Sequence, residues 1–158
     1  MHHIPAVTRS AVLALLAFLA LATQAVAQEM EEAPLAIETD EGSFEYSVEL
    51  ALTGEERAVG LMNREEMAED HGMLFRFESP RPVTMWMKNT LIPLDMIFIR
   101  RDGTVAGFHE NAEPLSLETI ASPEPVLYVL ELNGGKAEEM GLQEGDVVRH
   151  PVIETGKD

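Results

Sequence analysis

Residues 94–109, LDMIFIRRDGTVAGFH, hold the clearest structural signal in this chain. Two apolar runs, 94–100 and 104–109, flank Arg101-Asp102-Gly103. An Asp-Gly pair between such runs marks a β-hairpin, because both residues tolerate positive φ. Strand-like segments recur on both sides of this hairpin. Phe44, Tyr46, Val48, Leu50 and Leu52 alternate with Glu45, Ser47, Glu49 and Ala51, the period of a half-buried strand. Residues 73–77, 83–88, 126–132 and 147–150 have strand composition, and Ser79-Pro80-Arg81-Pro82 interrupts pairing by removing two backbone donors.

Helical signals are short. Thr53-Gly54-Glu55-Glu56 has capping-box spacing and opens a helix running to about Met62. Residues 65–70 and 117–121 each read as a helical turn, and Asn133 as the cap of a helix over 134–140 that closes at Gly141 with Leu142 packing back. Long helices do not alternate with the strands, which argues against a doubly wound parallel sheet. The expected class is α+β, mainly antiparallel β: a small, partly open barrel or sandwich with a few short helices.

The N-terminus predicts export. Arg9 precedes an apolar run over 11–22, and Ala25-Val26-Ala27 offers the small residues of a cleavage site. The run is shorter than the roughly 20 residues that span a bilayer, so no stable membrane anchor is expected after cleavage behind Ala27. The expected location is periplasmic or secreted. Residues 28–42 carry six acidic side chains and few large apolar ones, and read as a flexible acidic lead-in to a single domain over 43–153, with a tail at 154–158. The chain has no Cys, so neither a disulfide framework nor a thiolate site exists and packing alone must hold the domain. A formal net charge of −17 repels phosphate backbones and excludes nucleic acid as an expected partner.

Residues 83–99, VTMWMKNTLIPLDMIFI, set the only Trp and several polar side chains inside apolar sequence. On a strand over 83–88, Trp86 and Lys88 share one face. Asn89 and Thr90 form the turn after it, and Asp95 falls on a face with Ile97 and Ile99. A carboxylate in that setting needs a cation or several donors, with Lys88, Arg57 or Arg64 as candidate cations. The plainer reading is that Lys88, Asn89, Thr90 and Asp95 brace a tight connection between strands. The functional reading makes Trp86 the wall of a pocket in which Arg64, Lys88 and Asn89 hold the polar or anionic end of a small ligand, with Thr90, Asp95 and Glu131 nearby. Glu131 enters because it shares a strand face with Leu127 and Val129.

Two alternatives differ in class. A carboxylate-dependent hydrolase would use Asp95 and Glu131 as general acid and base. No catalytic residue is assigned, for no nucleophile motif is present and no Ser has a recognisable activating partner. A Cu(I)-binding protein would use Met85 and Met87 with His71 or His109, although strand methionines are also common gap-fillers. The absence of Cys and of paired-His spacing excludes zinc, and no cofactor or resident metal is expected. Residues 137–148 also look locally like the helix-turn-strand of PDZ domains, a short and generic match.

Three groups of residues together resemble a family: Gly60-Leu61-Met62 with Arg64; Gly72-Met73-Leu74-Phe75 with Phe77; and Trp86-Met87-Lys88-Asn89-Thr90 with Pro93-Leu94-Asp95. With Glu131, Gly134-Gly135 and Gly145-Asp146, they are similar to the DUF192 (UPF0127) domain over nearly all of 35–152. The resemblance implies a small, mostly β domain, often exported, and brings no reaction with it.

Overall fold

The computed structural model describes residues 30–153. The leader, its cleavage point and the tail at 154–158 lie outside them. Among the described residues, nine strands and two helices follow in order: β1 (Glu32–Thr39), β2 (Gly42–Ala51), α1 (Gly54–Val59), β3 (His71–Arg81), β4 (Thr84–Met85), β5 (Leu94–Ile99), β6 (Val105–Ala112), β7 (Ile120–Ala121), β8 (Val126–Asn133), α2 (Lys136–Glu139) and β9 (Val147–Arg149). Seven strands form one curled, half-barrel sheet in the order β6-β5-β8-β3-β2-β1-β9, and β4 pairs with β7 separately. The class is the expected one, α+β with mostly antiparallel strands.

The hairpin forms as read, with β5 and β6 antiparallel. Only Gly103 adopts positive φ, at 89°, while the Asp102 carboxylate accepts from Thr104 N at 3.0 Å and from its hydroxyl at 2.7 Å. The capping box also forms: Thr53 Oγ1 accepts from Glu56 N at 3.2 Å and Glu56 Oε2 from Thr53 N at 2.8 Å. α1 lies in the crossover from β2 to β3, and that crossover makes β2 and β3 the parallel pair of the sheet.

Several local expectations are corrected. The acidic lead-in contains β1, an eight-residue strand paired with both β2 and β9. Leu35 and Ile37 point into the core while acidic neighbours face outward, so burying alternate residues outweighs the acidic composition. Residues 65–70 make no helical turn; the Met67 and Ala68 carbonyls accept instead from Asn133 Nδ2, at 3.1 and 3.0 Å. Asn133 is therefore a brace for this loop and not the cap of α2. The strand expected over 83–88 shrinks to β4, because Met87 N turns to Ser116 O at 3.1 Å and Asn89 takes a left-handed φ of 56°. Its partner β7 replaces the helical turn expected at 117–121.

Both faces of the central strands are covered, as the fully buried β5 requires. On one face Ile97, Ile99, Leu130, Leu74, Val48 and Ile37 pack beneath α2 and Val148. On the other, Met96, Phe98, Val129, Met73 and Phe75 pack beneath Leu61, Val83, Met87 and Ile92 from the loops. β3 and β8 approach closely at Gly72, where a Cβ would lie 2.6 Å from the Glu131 carbonyl oxygen, so glycine is required there. At the far edge, a bridge between Thr104 and Val147 brings β9 against the β5–β6 turn and curls the sheet toward closure.

Candidate functional site

Two buried carboxylates lie on adjacent strands with opposite surroundings. Asp95 stands across from Leu132 in the β5–β8 pairing, and Met96 across from Glu131. Neighbours along a strand point to opposite faces, so Asp95 and Glu131 are on opposite sides of the sheet. The acid–base pair that a carboxylate hydrolase needs is not formed.

Asp95 is 0 % exposed and fully engaged. Its Oδ1 accepts from Asn111 N at 2.8 Å and Gly135 N at 3.1 Å, and its Oδ2 from Ala137 N at 2.7 Å. Gly135 and Ala137 open α2, so a carboxylate from a distant strand caps that helix where its own N-cap residue, a glycine, offers no side chain. Of the two ways of holding such a carboxylate, a cation or several donors, the structure uses the second: three backbone N–H groups meet Asp95, and none of Lys88, Arg57 or Arg64 pairs with it. Lys88 instead sits with its ammonium 5.1 Å from the Trp86 ring centroid. Arg64 is also removed from the expected cluster, since its guanidinium grips both carboxylate oxygens of Glu49.

Glu131 is 4 % exposed and makes no side-chain hydrogen bond or ion pair among the described residues. The only sealed-off, unpartnered side-chain polar atom among them is His150 Nε2, so the Glu131 oxygens still open onto space. That space is a pocket of about 190 Å³, walled by Met62, Phe75, Phe77, Met85 and Trp86 and bordered by Arg57, Arg81 and Thr90. Gly60 ends α1 with φ 49° and brings it against Phe75, where a Cβ would lie 3.2 Å from the ring. The nearest strand neighbours of Glu131 are Met73 and Met96, neither of which can stabilise a charge. Burial alone therefore pushes its carboxyl up to about 8, leaving it protonated at neutral pH.

Cations gather at the mouth. Arg57 and Arg81 each stand 5.3 Å from the Phe77 ring centroid. Arg57 also donates to Leu52 O and Arg76 O, both at 2.7 Å, and pairs with Glu78, whereas Arg81 makes no hydrogen bond or ion pair through its guanidinium among the described residues and feels Glu78 only at longer range. Trp86 is 48 % exposed, and Val59 on the same rim is exposed as well. Of the residues read from the sequence, Trp86, Thr90 and Glu131 thus line one pocket, with Lys88 stacked on its wall. Asn89 is exposed beside it, turning the chain and donating weakly to Met62 Sδ at 3.8 Å. Arg57 and Arg81 were not read as mouth residues, because their stacking on Phe77 depends on how β3 and α1 pack.

A larger cleft of about 660 Å³ runs between β6 and residues 113–121, with His109 and Glu113 on its lining. None of its polar side chains is buried. The methionines beside Trp86 diverge, Met85 to the Glu131 pocket and Met87 to this cleft. No cluster of three or more His, Asp or Glu side chains suited to a metal occurs among the described residues. No helix among them is long and apolar enough to cross a membrane.

A family model described as DUF192, uncharacterized ACR, matches residues 36–150. Among solved structures, a protein of Sinorhizobium meliloti 1021, described provisionally as a transcription regulator, is 48 % identical with a TM-score of 0.75, covering 77 % of this chain and 95 % of that one. A protein of unknown function from Novosphingobium aromaticivorans is 37 % identical with a TM-score of 0.76, covering 79 % of this chain and 89 % of that one. No curated protein matches.

Proposed function

The chain belongs to the DUF192 family, and on that footing we propose that it is an exported small-ligand binding module whose site is the Trp86–Glu131 pocket. The observation that carries this reading is Glu131: a carboxyl kept buried and unpartnered, facing a cavity. Native structures rarely leave a buried polar group unsatisfied without a use for it, since each such group costs about 1–3 kcal/mol. An aromatic and methionine wall with few convergent polar groups is the composition of small-molecule sites. The cavity is small, so the ligand is the size of a single side chain or little more. The expected cluster is revised accordingly: Trp86, Thr90 and Glu131 line the site, Lys88 and Arg81 serve its mouth, and Arg64 and Asp95 hold the scaffold.

The description of the S. meliloti protein as a transcription regulator is not carried over, because a net charge of −17 opposes contact with DNA. Export rests on the leader sequence, and N-terminal sequencing of the secreted or periplasmic form is expected to begin at Gln28. The binding reading is tested by native mass spectrometry of the chain purified from its own host without added ligand. An organic adduct that disappears in Trp86→Ala is expected. A bare mass in the wild type counts against tight binding, and a copper-sized increment replaces this reading with a methionine site.

A further inference from the structure

We propose that Glu131 sets the specificity of this pocket by donating a hydrogen bond from its carboxyl O–H to an oxygen at the inner end of a small anionic ligand, whose charged end meets Arg81 and Lys88. This inference rests on the pocket's being a binding site and names the chemistry it selects.

Few charges lie within reach of Glu131. On its own sheet face it is flanked by Met73 on β3 and Met96 on β5. From α1, Arg57 borders the pocket, but its guanidinium is committed to two carbonyls and Glu78. From the end of β3, Arg81 lies over Phe77, and after β4 Lys88 lies over Trp86. None of these pairs with Glu131, and burial is the sole influence on its titration. An ionised carboxylate so placed has no compensation, so the group is held neutral. A neutral carboxyl is a donor, and apolar sites that keep an acid protonated use it that way.

The mouth then decides the sign of the ligand. A cationic ligand would meet Arg57 and Arg81, which line the pocket, and Lys88, which lies over its Trp86 wall, before reaching the one carboxyl on the lining. An anion is attracted by the same three groups. Two of them, Arg81 and Lys88, make no hydrogen bond or ion pair through their charged ends among the described residues. The ligand class is therefore an anion with a short apolar spacer and a carbonyl-type oxygen at its far end.

Three probes of matched length separate the possibilities: 4-oxopentanoate, pentanoate and pentylammonium, titrated against the fluorescence of the single Trp, Trp86. We expect 4-oxopentanoate to bind roughly 10-fold or more tightly than pentanoate, the range of one buried hydrogen bond. Glu131→Gln, which keeps a donor, retains that preference, and Glu131→Met erases it. Affinity of the wild type for 4-oxopentanoate is flat between about 6 and about 8, falls below that range as the probe's own carboxylate protonates, and falls about tenfold per pH unit above about 8, because binding must then return a proton to Glu131. Preference for pentylammonium, or a preference for 4-oxopentanoate that survives in Glu131→Met, overturns the assignment. If no probe moves the Trp86 signal, this chemistry is wrong. An adduct in native mass spectrometry would then still sustain the pocket, and a bare mass would remove both readings.

Discussion

Asp95 and Glu131 are buried on neighbouring strands, yet one is surrounded by donors and the other by methionines. Asp95 accepts three backbone N–H bonds and joins β5, the end of β6 and the start of α2 into one unit. Glu131 joins nothing. The difference teaches that burial of a carboxylate is not itself a functional signal; what separates a structural acid from a site acid is whether its oxygens are answered by the fold.

That contrast can be broken at either end. The largest effect is expected at Asp95. Asp95→Ala strips three N–H groups of their acceptor, one buried and two partly buried, and uncaps α2, which should destabilise the protein by about 3–5 kcal/mol in urea unfolding. A loss below about 1 kcal/mol would show that water or another group can replace the carboxylate. The opposite sign is expected across the sheet: Glu131→Met removes an unanswered polar group and should be neutral or stabilise by about 1–2 kcal/mol.

Acid titration sharpens the same comparison. The Glu131 pKa is raised from 4.5 to about 8, so between those values the folded state holds a proton that the unfolded chain has released. Its contribution is fully present below 4.5 and is lost as pH rises to about 8, at up to about 1.4 kcal/mol per pH unit. Exposed carboxylates paired with arginine, such as Glu38 and Glu124, have lowered values and act in the reverse direction, their help being lost in acid. Maximum stability is therefore expected near pH 5, and Glu131→Gln should flatten the decline on its alkaline side. An unchanged slope in that variant would locate the titration elsewhere.

The smallest effect is expected from Lys88. Were it the partner of Asp95, Lys88→Ala would cost several kcal/mol. It is exposed and lies over the Trp86 ring instead, so thermal melts should register less than about 1 kcal/mol. Affinity for an anionic ligand should nevertheless fall severalfold in the same variant.

Local signals were legible and distant ones were not. The Asp102-Gly103 hairpin and the Thr53–Glu56 capping box depend on residues within a few positions of each other, and both formed as read. The family resemblance likewise rests on contiguous runs, and the match over 36–150 bears it out. What failed was the matching of partners. The donors that hold Asp95 are backbone groups at 111, 135 and 137, and a main-chain N–H carries no mark in an amino-acid sequence. Arg64 was assigned to the pocket because its charge suited an anion, but Glu49, on a strand across the crossover, claims it. β1 was missed because six acidic residues between 28 and 42 mask the two that matter, Leu35 and Ile37. Lys88 does lie over the Trp86 ring, but through the turn that follows β4, because the strand whose alternation suggested a shared face ends at Met85.

The pairing of β1 with β9 sets Ile37 against Val148, and the Glu38–Arg149 ion pair beside it joins positions 111 apart. The sheet thus takes its edge strand from a segment 111 positions further along the chain. Contacts this distant in sequence close late and slow folding. Among the described strands β1 is the first and β9 the last, so β1 keeps one edge open until every other strand of the sheet has been made.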